Sequence, residues 1–245
     1  MSLRKILIIV FVICSSSMLY AQDYTDDVYE DDEYIVNEDT VSNDVTEYSK
    51  LTPLLGGDSV RMQNGRPAAG QIKDFYPDGT LKHKGFYSGG VLNSTYKNYY
   101  PNGTLERTFK AKGTSGAILD LFYSNGKPRL HVEYSKGNII EYIEYYPSGQ
   151  VASHEKYDKK GEMYEFFKTW YPSGQLKMEM VLIDKKRRIY QEKIYWENGN
   201  LKQEGKKFFN KNLSDYQKNG SWKLYMKDGK LLRTEEWYFG DLQED

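Results

Sequence analysis

Seven times this chain runs aromatic residues into a glycine turn, and that recurrence constrains its fold more than any other feature. FYPDG stands at 75–79, YYPNG at 99–103, FYSNG at 122–126, YYPSG at 145–149, WYPSG at 170–174, YWENG at 195–199 and YMKDG at 225–229. The closing glycines, Gly79, Gly103, Gly126, Gly149, Gly174, Gly199 and Gly229, are 24, 23, 23, 25, 25 and 30 residues apart. A period of this size marks a repeat architecture, in which each unit is one supersecondary element stabilised by its neighbours.

Each motif reads as strand, turn, strand. Proline presets φ at the first turn position, Asp, Asn or Ser bonds the backbone beside it, and glycine supplies positive φ without steric cost. Aromatic residues lead in, and Leu81, Leu105, Val151, Leu176, Leu201 and Leu231 lead out two places after the glycine. These are β-hairpins, and the expected fold is all-β: tandem hairpins in one elongated, twisted antiparallel sheet of about fourteen strands. Asn64-Gly65 reads as a weaker half-copy that starts the array. The widest gap, with Phe208-Phe209-Asn210-Lys211-Asn212, reads as an enlarged hairpin loop, and the acidic end, EEWYFGDLQED, as fraying.

Strand parity separates two faces, because adjacent residues point to opposite sides of a sheet. Four places before each glycine stand Phe75, Tyr99, Phe122, Tyr145, Trp170, Tyr195 and Tyr225. Six places before it, on the same face, stand Lys73, Lys97, Asp120, Ile143, Lys168, Lys193 and Lys223. Three and seven places before it, on the other face, the residues are largely apolar: Tyr76, Tyr100 and Ile72, Tyr96, Leu119, Tyr142, Phe167, Trp222 among them. The second face is therefore the packed one. The first interleaves rings with lysines and is the candidate binding stripe: Lys73, Phe75, Lys97, Tyr99, Tyr145, Lys168, Trp170, Lys193, Tyr195, Lys223 and Tyr225. Rings offer stacking or cation–π contact and lysines attract anions. The alternative is a solvated face whose lysines block edge-to-edge aggregation. KKRR at 185–188 adds a local basic point in a loop.

The first 21 residues have the layout of a secretory signal peptide: Arg4 and Lys5, an apolar run Ile6 to Ile13, then a Ser-rich stretch ending at Ala21. The run is too short to span a bilayer. Cys14 invites a lipoprotein reading, but Ile13 stands where such signals carry a small residue. It is the single cysteine, so a chain cleaved after Ala21 has no thiol and no disulfide. Residues 23–47 carry eleven acids and no Lys or Arg, the composition of a disordered acidic arm. Two bases fall in the leader, so residues 48–245 hold 32 bases against 24 acids. The near-neutral total thus divides into an acidic arm and a basic body, and the arm could compete with an anionic partner for that body. Residues 48–60 read as a linker or cap, and 61–245 as the array of about seven hairpins.

The strings YYPNGTL, FYPDGTLK and WYPSGQLK, with the incoming segment NGRPAAGQIKDFYPDG at 64–79, resemble the bacterial variant of the membrane occupation and recognition nexus (MORN) repeat found in YwqK-type antitoxin proteins. Gly89-Gly90, Gly113 and Gly137 match in part; Lys185 and Lys211 stand near where glycine is expected. The resemblance covers roughly residues 60–240. It implies an elongated sheet of hairpins and interaction roles, and it carries over no catalytic residue.

Chemistry is sparse. His131 and His154 both lie five places after a turn glycine, so they sit two strands apart, roughly 9–10 Å, too far to share a metal. Glu141 and Glu144 fall on opposite faces. No nucleophile elbow, phosphate loop or zinc-protease motif is present. The expectation is a non-enzymatic binding or scaffolding module without cofactor or metal, exported to a periplasmic, outer-membrane-associated or secreted location. Its partner would be an envelope protein or an anionic lipid or glycan surface, not nucleic acid. The alternative is an antitoxin- or immunity-like protein that grips a partner protein.

Overall fold

The computed structural model describes residues 61–112 and 116–243. The leader, acidic arm and linker read at 1–60 lie outside them. A short hairpin, β1 (Met62–Gln63) and β2 (Arg66–Pro67), precedes the main sheet. The sheet then runs β3 (Gly70–Phe75), β4 (Leu81–Ser88), β5 (Val91–Tyr99), β6 (Leu105–Lys112), β7 (Gly116–Phe122), β8 (Pro128–Ser135), β9 (Asn138–Tyr145) and β10 (Val151–Tyr157). It continues through β11 (Tyr164–Trp170), β12 (Leu176–Asp184), β13 (Ile189–Tyr195), β14 (Leu201–Asn210), β15 (Asp215–Tyr225), β16 (Leu231–Tyr238) and β17 (Asp241–Gln243). Its 15 strands are hydrogen-bonded in strict sequence order, each antiparallel to the next. The sheet is open, with β3 and β17 as edges.

The seven motif turns share one geometry. Tyr76 N–H donates to Thr80 C=O at 2.8 Å and Gly79 N–H donates to Tyr76 C=O at 2.9 Å. That is a three-residue loop, a type I turn closed by a glycine in the left-handed region, and Gly79 has φ +85°. The Asp or Asn of the motif accepts the N–H two residues on, as in Asn102 with Thr104 at 3.0 Å. A bulge follows every turn. Phe75 pairs with Leu81 but Asp74 with His83, leaving Lys82 extra. The other six extra residues are Glu106, Arg129, Ala152, Lys177, Lys202 and Leu232. Such an insertion bends the strand and increases its twist.

Successive hairpins are also joined by side chains. The hydroxyl of Tyr76 donates to the carbonyl of Tyr99 at 2.7 Å. Tyr100 does the same to Phe122 at 2.8 Å, Tyr123 to Tyr145 at 2.7 Å, Tyr146 to Trp170 at 2.7 Å and Tyr171 to Tyr195 at 2.8 Å. Trp196 uses its indole N–H on Tyr225 at 3.3 Å. In the last copy the position is Met226, which has no donor. The aromatic three places before the glycine is thus an inter-repeat tie along the turn edge.

The apolar face is packed as parity predicts. Ile72, Tyr96, Phe109, Val132, Tyr134, Met178, Met180, Tyr190, Phe209 and Trp222 are buried on it. Tyr96, Phe109, Val132 and Tyr134 fall in one cluster, and Met178, Met180, Tyr190 and Phe209 in another. At its N-terminal end the β1–β2 hairpin acts as a cap. Ala68 packs on Ile72 and Tyr87, and Arg61 forms a two-pronged ion pair with Asp74. Asn64-Gly65 therefore makes a cap outside the main sheet and does not contribute its first strand.

Two expectations need correction. Phe208, Phe209 and Asn210 are strand residues, so the wide gap lengthens β14 and β15 and leaves a loop of only Lys211 to Ser214. Phe209 is buried, and burying that ring favours continuing the ladder over opening a loop. The chain end forms a hairpin: β16 turns at Phe239-Gly240 into β17. In the β12–β13 and β14–β15 loops, where Lys185 and Lys211 stand near the expected glycine, Arg188 and Ser214 take positive φ, at +57° and +52°.

Candidate functional site

The bulge after each turn sets which outgoing residue faces which incoming one. The residue six places before the glycine stands opposite the residue five places after it in all seven hairpins. The pairs are Lys73–Lys84, Lys97–Thr108, Asp120–His131, Ile143–His154, Lys168–Glu179, Lys193–Glu204 and Lys223–Thr234. Between hairpins the register continues the row, with Lys84 opposite Lys97, His131 opposite Ile143, His154 opposite Lys168, Glu179 opposite Lys193 and Glu204 opposite Lys223. A single cross-strand row thus runs over the open face from β3 to β16.

The row is not uniform. From β11 to β15 lysines alternate with glutamates, and the charges offset one another. Lys168 Nζ lies 3.5 Å from Glu179. The hydroxyls of Tyr195 and Tyr225 donate to Glu179 at 3.0 Å and to Glu204 at 2.9 Å. Burial, then the bond to Glu179, pushes the Tyr195 hydroxyl up to about 12. Lys168, Lys193, Tyr195, Lys223 and Tyr225 therefore belong to a charge-balanced lattice, while Trp170 stands at the turn end of β11 and its carbonyl takes the bond from Tyr146.

In the middle the row holds polar pairs. His131 Nδ1 is 2.6 Å from Asp120, and His154 Nε2 is 2.9 Å from Glu141, which also receives Lys156 at 2.8 Å. Tyr145 stands at the turn end of β9, and its carbonyl takes the bond from Tyr123. His131 and His154 flank Ile143 from opposite sides. Among the described residues no group of three or more His, Cys, Asp or Glu is arranged to hold a metal ion.

At the N-terminal end the row becomes Lys73, Lys84 and Lys97 on three adjacent strands. Among the described residues none of the three forms an ion pair. Lys73 and Lys97 are exposed, and Lys84 is half-buried between them. Phe75 and Phe86, 57% and 49% exposed, stand on the same strands, with Tyr99 half-buried at the end of β5. Directly opposed like charges destabilise a strand pair. Two such pairs share Lys84, and no carboxylate in the row offsets them. This is the part of the stripe that carries positive charge without a carboxylate opposite it.

Strand parity placed Lys73, Phe75, Lys97 and Tyr99 but missed Lys84, Glu179 and Glu204. Their signal was a fixed distance of five residues after each turn glycine. It becomes readable only once the bulge is known, because the bulge fixes which residue lies opposite. One cation–π contact lies on the stripe itself, Lys168 over Phe166 at 5.7 Å, and others lie at the turn edge. The bulge residue covers the turn-edge ring of its own hairpin: Lys82 on Tyr76 at 5.5 Å, Lys177 on Tyr171 at 5.6 Å and Lys202 on Trp196 at 4.6 Å.

Four segments, residues 92–110, 140–159, 167–183 and 191–210, match the MORN repeat variant. Each covers one motif hairpin, and the same turn, bulge and register recur in the three hairpins outside those segments. No curated protein matches the chain. Two solved structures that align are a crystal structure of TarM and a mutant of S. aureus TarM in complex with Fondaparinux, alpha-GlcNAc-glycerol and UDP. Their identities are 14% and 13%, with a TM-score of 0.27 for each. The alignments cover 47% of this chain and 20% of the others, so the chain spans about a fifth of their length.

Proposed function

We propose that this chain of MORN-variant repeats is a non-catalytic, exported binding module that meets an anionic surface of the cell envelope through its open face. The observation that carries the reading is the cross-strand triplet Lys73–Lys84–Lys97. It concentrates three unpaired cations beside exposed aromatic rings, whereas later lysines of the same row have glutamates between them. The surrounding sheet supplies rigidity: each hairpin is tied to the next, so the lysines are held at strand spacing and do not have to be ordered on binding. Export rests on the leader pattern of residues 1–21.

The test is sedimentation of the protein with vesicles of phosphatidylcholine alone and of phosphatidylcholine with phosphatidylglycerol, at low and high salt. Binding to anionic vesicles should fall steeply with salt. It should drop at least tenfold in Lys73→Gln/Lys84→Gln/Lys97→Gln and change little in Lys168→Gln/Lys193→Gln/Lys223→Gln. Equal effects of the two sets, or none, would overturn the reading.

A second reading, an antitoxin- or immunity-like protein with a protein partner, draws on the last hairpins. Leu231, Leu232, Tyr238 and Leu242 are all about half exposed or more there. It requires a one-to-one complex that survives high salt.

A further inference from the structure

The KKRR segment forms one wall of a groove with a volume of about 540 Å³ at the other end of the sheet. The loop between β12 and β13 supplies Lys186, Arg187 and Arg188; β14 supplies Lys206 and Phe208; Phe239 comes from the β16–β17 turn. No acidic residue lines it. Among the described residues, Lys186, Arg188 and Lys206 form no ion pair. Arg187 has a long contact of 3.8 Å with Asp184. Lys207, the remaining cation of the lining, is held by Glu192 at 2.7 Å. The two rings meet edge to face, 5.3 Å apart.

We propose that this groove is a second binding site, specific for a phosphate or sulfate ester carried on a ring such as a sugar. Three features point to that chemistry. A guanidinium presents paired donors that match two oxygens of one oxyanion, and ammonium groups add point charge. Arg188 is anchored through its backbone, because its carbonyl accepts Phe209 N–H at 3.0 Å. Phe208 and Phe239 offer apolar surface beside the cations, which inorganic phosphate alone would not use but a ring would. Strand pairing brings the parts together. Lys206 stands opposite Gln191 on one side and Asn219 on the other, and Asn219 adds an amide to the lining. The site is separate from Lys73, Lys84 and Lys97, and it does not depend on the vesicle reading.

The experiment is titration of the full chain with glucose 6-phosphate, with glucose and inorganic phosphate as comparisons, and with phosphatidylglycerol vesicles as a second arm. The variants are Arg188→Gln/Lys206→Gln, Phe239→Ser and, as a control elsewhere, Lys73→Gln/Lys97→Gln. Unchanged circular dichroism and melting would establish that each variant is folded. Glucose 6-phosphate should bind more tightly than glucose or phosphate. Its affinity should fall at least tenfold in Arg188→Gln/Lys206→Gln, and Phe239→Ser should remove the preference over phosphate. The control should bind it unchanged. Vesicle binding that requires Arg188 and Lys206, without glucose 6-phosphate binding, would assign the ester to a lipid headgroup. Absence of binding in both arms, or binding indifferent to the groove substitutions, would overturn the proposal.

Discussion

The backbone N–H of Tyr164 donates to the hydroxyl oxygen of Tyr216, 52 residues further along the chain, at 3.2 Å. Tyr164 begins β11 and Tyr216 lies in β15, four strands away. On a flat sheet that separation is roughly 19 Å, beyond the reach of a tyrosine side chain. The sheet therefore bends toward its apolar face here. Tyr190, between them on β13, donates its hydroxyl to the carbonyl of Tyr164 at 2.9 Å, and burial pushes that hydroxyl up to about 12. The rings of Tyr164 and Tyr190 lie 5.3 and 5.0 Å from that of Tyr216. Among the described residues, curvature and large side chains shield this face.

Tyr216 should therefore matter beyond its own strand. Tyr216→Phe removes one hydrogen bond and is expected to cost about 1 kcal/mol. Tyr216→Ala also removes the ring and is expected to cost about 3–5 kcal/mol. Urea unfolding followed by tryptophan fluorescence measures both. An alanine cost near that of phenylalanine would mean the ring is not holding the bend.

The turn-edge ties should act as near-independent increments. Tyr100→Phe and Tyr171→Phe each delete one inter-repeat bond and should each lower stability by about 0.5–1.5 kcal/mol. The two ties are several strands apart, so the double variant should show their sum within about 0.5 kcal/mol. Strong non-additivity in denaturant titration would contradict repeat-by-repeat stabilisation.

Glycine at 205 is required by packing. An added Cβ would lie 2.3 Å from Cδ2 of Trp222, a fully buried ring whose indole N–H donates to Lys206 C=O at 3.1 Å. Gly205→Ala is expected to cost about 1–3 kcal/mol through overpacking, and Trp222→Phe in the same chain should recover part of it. Gly229→Ala tests the other kind of glycine. Its φ is +88° and nothing lies within 4 Å of an added Cβ, so left-handed strain of about 1–2 kcal/mol acts alone. No partner substitution should relieve that. Thermal melts of the set distinguish the two causes.

Lys84 stands between two lysines, so this end of the row should be locally destabilised by like charge. Lys84→Gln is expected to raise stability by about 0.2–1 kcal/mol and to reduce binding to anionic vesicles. Lys193→Gln, which leaves Glu179 and Glu204 without the lysine between them, should not stabilise. A fall in stability for Lys84→Gln at low salt would show that the repulsion is already offset within the sheet.

His83 sets a pH dependence. It is 1% exposed, its Nδ1–H donates to Asn98 Oδ1 at 2.7 Å, and Nε2 accepts from the Tyr87 hydroxyl at 3.2 Å. Burial lowers its pKa below 6.5, against smaller opposing effects of Asn98 and Asp74. The folded state thus holds the neutral ring while the unfolded chain takes up a proton near 6.5. This contribution to stability is complete above that pH and is lost as pH falls through 6.5 toward the folded value. The melting temperature should fall between pH 7.5 and 5.5, and His83→Gln should flatten that part of the profile. An equal slope in the variant would assign the dependence to other groups.

Much of this was legible locally. Proline, Asp or Asn, and glycine at fixed positions specify a three-residue hairpin turn from backbone preferences alone. Parity around it identifies the apolar face through Ile72, Tyr96 and Trp222, because strand side chains alternate with a period of two. The Phe208–Asn210 loop was misread because a long interval between turns is equally consistent with a longer loop or longer strands. The burial of Phe209 decided between them.

By itself the sequence determined the repeat period, the turn type and which face is apolar, since each depends on residues a few positions apart. Tertiary structure alone decided what lies beside what. The bulge after each turn brought Lys84 to Lys73 and Lys97, and Glu179 and Glu204 between later lysines, separating a charge-balanced stretch from an unpaired one. The bend that joins Tyr216 to Tyr164, and the pairing that sets Lys206 and Phe208 beside the KKRR loop, likewise come from ladder register and accumulated twist. Those are properties of many strands together, and no single repeat contains them.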